Sequence, residues 1–203
     1  ANPYLLCPEG EAPAVRQRDL SSASYDADFG AWTAPFVMAG VNTRVVHRAN
    51  ALSEYAYGRD FRYDEAVLLG SGVKGHAKAV LMAAALGGFV VASALPPLRW
   101  LLKRVVLPMP GDGPTPAAQE KGFYDLRFIG TTAAGQTLRV KVAGDRDPGY
   151  GSTAKMLGQA AVCLAMDIPK AAKPGGFWTP STILGDHLIK RLRSDAGMAF
   201  EVL

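Results

Sequence analysis

The sequence predicts an α+β domain with an antiparallel or mixed sheet and helices covering one face. Three observations carry this. Leu138, Val140 and Val142 alternate strictly with Arg139 and Lys141, and they follow Phe123, Leu126, Phe128 and Ile129 across a turn at Gly135. That is an antiparallel hairpin with Arg139 and Lys141 on its wet face. Later segments repeat apolar residues at three- and four-residue spacing, as helices with one buried face do. Strand and helix patterns do not alternate regularly, which argues against a parallel sheet.

Composition agrees with an ordered protein. The chain has 203 residues, 49% hydrophobic and 20% charged, enough to bury a core. A net charge of +4 is mild, and the 22 Lys and Arg residues are scattered, so nucleic acid is not an expected partner. Two cysteines, Cys7 and Cys163, offer neither a disulfide framework nor zinc spacing, and a reducing cytoplasm is the expected compartment. The chain opens on Ala1-Asn2-Pro3-Tyr4 without a basic-then-apolar leader, and reads as part of something longer.

Taken in order, residues 1–30 read as an irregular lead-in rich in Pro, Gly, Asp and Ser. Trp32-Thr33-Ala34-Pro35 reads as a helix start, with Thr33 as cap and Pro35 in the first turn. In the helix that follows, Val37, Met38, Val41, Val45, Ala49 and Leu52 share one face, with Thr43, His47 and Asn50 opposite. Arg48 falls within the apolar arc and is expected to snorkel to its rim.

The apolar run Ala66-Val67-Leu68-Leu69 reads as a strand leading into Gly70-Ser71-Gly72-Val73-Lys74-Gly75. This matches the G-x-G-x-x-G pattern that seats a pyrophosphate on a helix N-terminus. The acidic residue such a unit needs about 20 positions later is missing: no Asp or Glu occurs between Glu65 and Asp112. The turn is therefore read as a glycine-rich loop before a buried helix, with cofactor binding kept as a minor reading. Ala79 to Leu95 carries no charge and stops at Pro96-Pro97, short of the ~20 residues of a spanning helix. Leu98 to Val106 mixes Arg99, Lys103 and Arg104 with Trp100 and aliphatic residues, in the manner of an interfacial helix.

Beyond the hairpin, Ser152 or Thr153 is expected to cap a helix in which Met156, Ala160 and Cys163 face one way. Asp145 and Asp147 in the preceding loop read as turn or cap residues. Gly175 to Pro180 starts another helix with a stripe of Leu184, Leu188 and Leu192, and Phe200 to Leu203 closes the chain as a strand. His47, His76 and His187 lack metal spacing, and no nucleophile motif is present. The loops at helix N-termini are the best places for a site.

There the motifs become specific. The run from Phe36 to Val46, Asp147-Pro148-Gly149-Tyr150-Gly151 with Thr153-Ala154-Lys155-Met156, and Gly175-Gly176-Phe177-Trp178-Thr179-Pro180 stand in this order. Together they resemble the C-terminal half of the saccharopine dehydrogenase-like oxidoreductases, in the branch of the trans-acting enoyl reductases. The resemblance spans nearly the whole chain. It implies an enzyme with an N-terminal Rossmann domain for NAD(P) and a C-terminal α+β domain that shapes the substrate cleft and the homodimer contact. Residues 1–203 would be that second domain alone, without a cofactor or metal of its own. Asn42, Arg44, Thr153 and Thr179 would anchor polar parts of a small-molecule, lipid-like substrate, and Tyr150 and Trp178 would wall its apolar part. The alternative reading is a non-catalytic lipid- or membrane-associated module anchored by residues 79–107, peripheral to a membrane. A third is a self-sufficient nucleotide-binding enzyme built on Gly70 to Gly75.

Overall fold

A computed structural model describes all residues except 1, 11, 12, 14 and 110. The α+β class holds: the chain forms two compact units, residues 1–109 and 110–203, each with a three-stranded antiparallel sheet.

In the first unit the sheet has the order β1 (Ser24–Asp26), β2 (Ala31–Pro35), β3 (Ala66–Leu68). The expected helix start at Trp32 is thus corrected to a central strand. Thr33 is 3% exposed and gives its hydroxyl to the Ser24 carbonyl at 3.0 Å, not to a helix end. Thr33 also pairs with Ser24 and Leu68, and Ala34 with Val67, partners distant in sequence that no local propensity reports. Pro35 ends the strand, where a missing N–H is tolerated.

Helix α1 runs from Ala39 to Leu52, and its orientation reverses the expected one. Its buried residues are His47, Ala49, Asn50 and Ala51, whereas Val41 and Val45 are exposed, as are Val37 and Met38 before it. Polar contacts decide the matter. Asn50 Nδ2 donates to the Gly58 carbonyl and its Oδ1 accepts the Tyr57 N–H, both at 3.0 Å, which closes the loop after the helix. Arg48 reaches the Leu6 carbonyl.

His47 is 3% exposed, its ring 4.9 Å from that of Tyr4 and 5.8 Å from that of Phe61. Burial lowers its pKa below the usual 6.5. The unfolded chain therefore takes up the proton first, so its contribution is complete above pH ~6.5 and is lost as pH falls below that toward the depressed folded value. The urea midpoint is expected to drop between pH 7 and pH 5, and His47→Gln to flatten that drop. An unchanged slope in the variant would refute the assignment.

Helix α2 (Gly72–Ala94) follows β3 through the glycine turn, and α3 (Pro96–Val105) follows across the extended Leu95 and touches it. The break at Pro96-Pro97 falls where the sequence places it. The expectation of a buried helix does not hold: only Gly75 and Ala79 of α2 are buried, and no residue of α3 is. At 23 residues α2 is also longer than the uncharged run implied, long and apolar enough by length and composition to cross a membrane.

The second unit opens with α4 (Pro116–Lys121), capped by Thr115, which accepts the Ala118 N–H. The predicted hairpin is β4 (Tyr124–Thr131) and β5 (Thr137–Gly144), and β6 (Met198–Val202) adds to β5. Helices α5 (Gly151–Met166), α6 (Pro180–Ile183) and α7 (Gly185–Asp195) complete it. Its core gathers Leu192, Ala196 and Met198, with Tyr124, Val142, Met156, Leu188 and Phe200 packed against them. The stripe of Leu184, Leu188 and Leu192 therefore faces inward as read, although Gly185, at φ +48°, divides it between two helices.

Candidate functional site

The glycine turn has the local order strand, loop, helix, but it serves packing. Gly70 takes φ +91°, and its carbonyl accepts the Trp32 N–H at 2.8 Å. A Cβ on Gly75 would lie 2.1 Å from that same oxygen, so the third glycine lets α2 approach the sheet. The Trp32 and His76 rings close the contact at 4.2 Å. Strand β3 pairs antiparallel with β2, and all pairings among the described strands are antiparallel. A dinucleotide loop needs a parallel neighbour and an acidic residue beyond it, and this turn fits neither requirement.

One cavity lies within the first unit. It has a volume of about 980 Å³, and its walls include Gln17, Thr43, Arg44, Arg62, Tyr63 and Glu65. Such a volume suits a metabolite or an acyl chain with its head group. Glu65 organises one wall, accepting from Asn42 Nδ2 at 2.9 Å and from the Tyr63 hydroxyl at 3.0 Å. Burial raises the Tyr63 pKa, and the charge and hydrogen bond of Glu65 raise it further. Tyr63 thus stays protonated and acts as a donor, not as a titrating acid. Gln17 fixes the same wall, donating to the Phe61 carbonyl at 3.0 Å and accepting the Tyr63 N–H at 3.1 Å. Arg44, half-buried on α1, has no hydrogen bond or ion pair among the described residues and lines the cavity. Asn42 and Arg44 are therefore brought to one place, whereas Tyr63, Glu65 and Gln17 were missed. No motif marks these three, and the loop before β3 gave no periodic signal.

The remaining residues lie in the second unit. Tyr150 and Thr153 sit at the start of α5, both exposed, with the Thr153 hydroxyl donating to the Pro148 carbonyl at 2.6 Å. The expected cap at Ser152 or Thr153 is corrected to Asp147, whose Oδ2 accepts the Tyr150 N–H at 2.7 Å and the Gly151 N–H at 3.2 Å. Those N–H groups hold the Asp147 carboxyl below the usual carboxylate range. Asp145 is lowered chiefly by its hydrogen bond to Lys155, at 2.8 Å. Asp147 is thus a cap residue as expected, whereas Asp145 is corrected to the ion-pair partner of Lys155.

Trp178 and Thr179 stand together before α6. The Trp178 indole donates to the Pro174 carbonyl at 3.0 Å, with the Lys173 ammonium 5.0 Å from its ring. Trp178, Leu164, Lys173 and Ile183 line a smaller cavity of about 340 Å³, which Tyr150 and Thr153 do not reach. Thr179 is 4% exposed and is the N-cap residue of α6, its N–H donating to Thr182 Oγ1 at 3.1 Å.

One relative, from Mycobacterium tuberculosis, is 39% identical over 219 residues, covering 99% of this chain and 50% of its own length. Its name assigns it provisionally as a trans-acting enoyl reductase. A trans-acting enoyl reductase of Mycobacterium bovis is 41% identical over 80% of this chain and 39% of itself, and one of Mycobacterium ulcerans 36% identical over 92% and 44%. The chain thus spans about half the length, or less, of the curated relatives it matches. Their names support an oxidoreductase-related role. No family model matches, and no solved structure does.

Proposed function

We propose that this chain is the substrate-binding and homodimerising part of a trans-acting enoyl reductase of the saccharopine dehydrogenase-like kind. NAD(P) is assigned to an N-terminal Rossmann domain, where it supplies the hydride that reduces an enoyl double bond. The residues of this chain bind and orient the acyl substrate and exclude water from it. The protein would work in the cytoplasm. The observation that supports this reading is similarity to enoyl reductases over nearly the whole chain, joined to a cavity in which Arg44 and the Asn42–Glu65–Tyr63 network present polar groups.

In this reading Arg44 donates to the polar head of the substrate while Tyr63 and Asn42 hold the wall in shape. Loss of one charged hydrogen bond corresponds to about a 10- to 100-fold change in binding. In the full-length protein, with an enoyl thioester and NADPH, Arg44→Ala is expected to raise KM by that factor while kcat changes little. Tyr150→Ala, at a 56% exposed residue, is expected to lower kcat/KM without unfolding. Wild-type kcat/KM in both variants, or turnover by the 203-residue chain alone, would sink the assignment.

A further inference from the structure

We infer that the helix pair α2 and α3 docks this protein on the surface of an anionic lipid bilayer, lying in the interface plane. Beyond Ala79, α2 carries Val80, Leu81, Phe89, Val90 and Val91 exposed at 42–71%, and only 6% of its most apolar window is buried. A core helix would bury this surface. In α3, Leu98, Leu101 and Val105 form one exposed face, and Arg99 and Lys103 lie one turn apart beside it. The Arg104 guanidinium lies 5.3 Å from the centre of the Trp100 ring, a pairing suited to headgroup depth.

Charge selects the occupant. Between residues 66 and 111 stand Lys74, Lys78, Arg99, Lys103 and Arg104 and no acid, a charge larger than the +4 of the whole chain. A second copy packed here by a twofold axis would oppose these cations to themselves. A surface offering both hydrocarbon and negative charge satisfies both halves of the pattern. Length decides between lying and crossing. Helix α2 is about 34 Å long, but its first turns are seated on the sheet through Gly75 and Ala79; the stretch beyond, about 22 Å, and α3, about 15 Å, each fall short of a hydrocarbon core of ~30 Å. Crossing would also carry Arg99 and Lys103 through the bilayer, so the helices lie flat with aliphatic faces inward. This inference is independent of the oxidoreductase reading.

Flotation of the 203-residue chain with vesicles tests it, using phosphatidylcholine alone and phosphatidylcholine mixed with phosphatidylglycerol. The chain is expected to float with the mixed vesicles, less with the neutral ones, and to be released by salt. The triple variant R99Q/K103Q/R104Q is expected to bind about 100-fold more weakly. These side chains make no hydrogen bond or ion pair among the described residues, so its circular dichroism should match the wild type. A folded wild-type chain that never floats overturns the inference. So does equal, salt-insensitive binding to both vesicles, or self-association that Leu98→Ser and Leu101→Ser abolish without any flotation.

Discussion

Gly75→Ala is expected to destabilise the first unit by about 2–3 kcal/mol, against the sign that helix propensity alone predicts. Alanine in place of a mid-helix glycine normally gains up to about 1 kcal/mol. At Gly75 the new Cβ would meet the Gly70 carbonyl oxygen at 2.1 Å and its carbon at 2.6 Å. Both are backbone atoms tied to Trp32, so they cannot swing aside as a side-chain tip would. Either α2 lifts from β2 or the turn deforms, and overpacking of this kind costs typically ~1–3 kcal/mol. Gly87→Ala in the same helix is the control, because a Cβ there meets nothing within 4 Å. It should be neutral or stabilising. Urea midpoints that move together for the two variants would show that α2 is not seated through Gly75.

Gly144→Val should unsettle the second unit by about 2–4 kcal/mol. Gly144 pairs across the hairpin with Tyr124, whose ring covers it so closely that a Cβ would lie 2.3 Å from the ring. The glycine makes room for the ring, and the ring covers backbone that glycine leaves bare. The Tyr124 hydroxyl in turn bonds Ser152 Oγ at 3.0 Å, and Ser152 is fully buried. A valine at 144 would displace the ring, adding the cost of a buried hydroxyl without a partner to that of overpacking. Tyr124→Phe removes the hydroxyl without the clash and is expected to cost less, about 1–2 kcal/mol. A thermal melt in which Gly144→Val matches wild type would mean that Tyr124 does not pack over the glycine.

Local pattern was enough for much of this fold. The hairpin of β4 and β5 follows from alternation around Gly135, and the inward stripe of Leu184, Leu188 and Leu192 from helical spacing. The break between α2 and α3 follows from two prolines. Each rests on residues within a few positions of one another, where backbone geometry alone sets the outcome.

Tertiary structure decided the rest. Trp32 to Pro35 has the local features of a helix start, yet becomes a strand because β1 and β3 flank it with backbone partners from residues 24 and 68. Apolar content predicted the wrong buried face of α1, since Asn50 and His47 meet partners on the loops around them and Val41 and Val45 do not. Ser152 has the chemistry of a cap and is drawn instead to Tyr124, leaving the helix N–H groups to Asp147. Gln17, Tyr63 and Glu65 enter the candidate site only because Gln17 spans 46 positions to reach the Tyr63 backbone. Periodicity shows which residues share a face. Which face meets a partner depends on hydrogen bonds and packing between distant segments, and those exist only once the chain has folded.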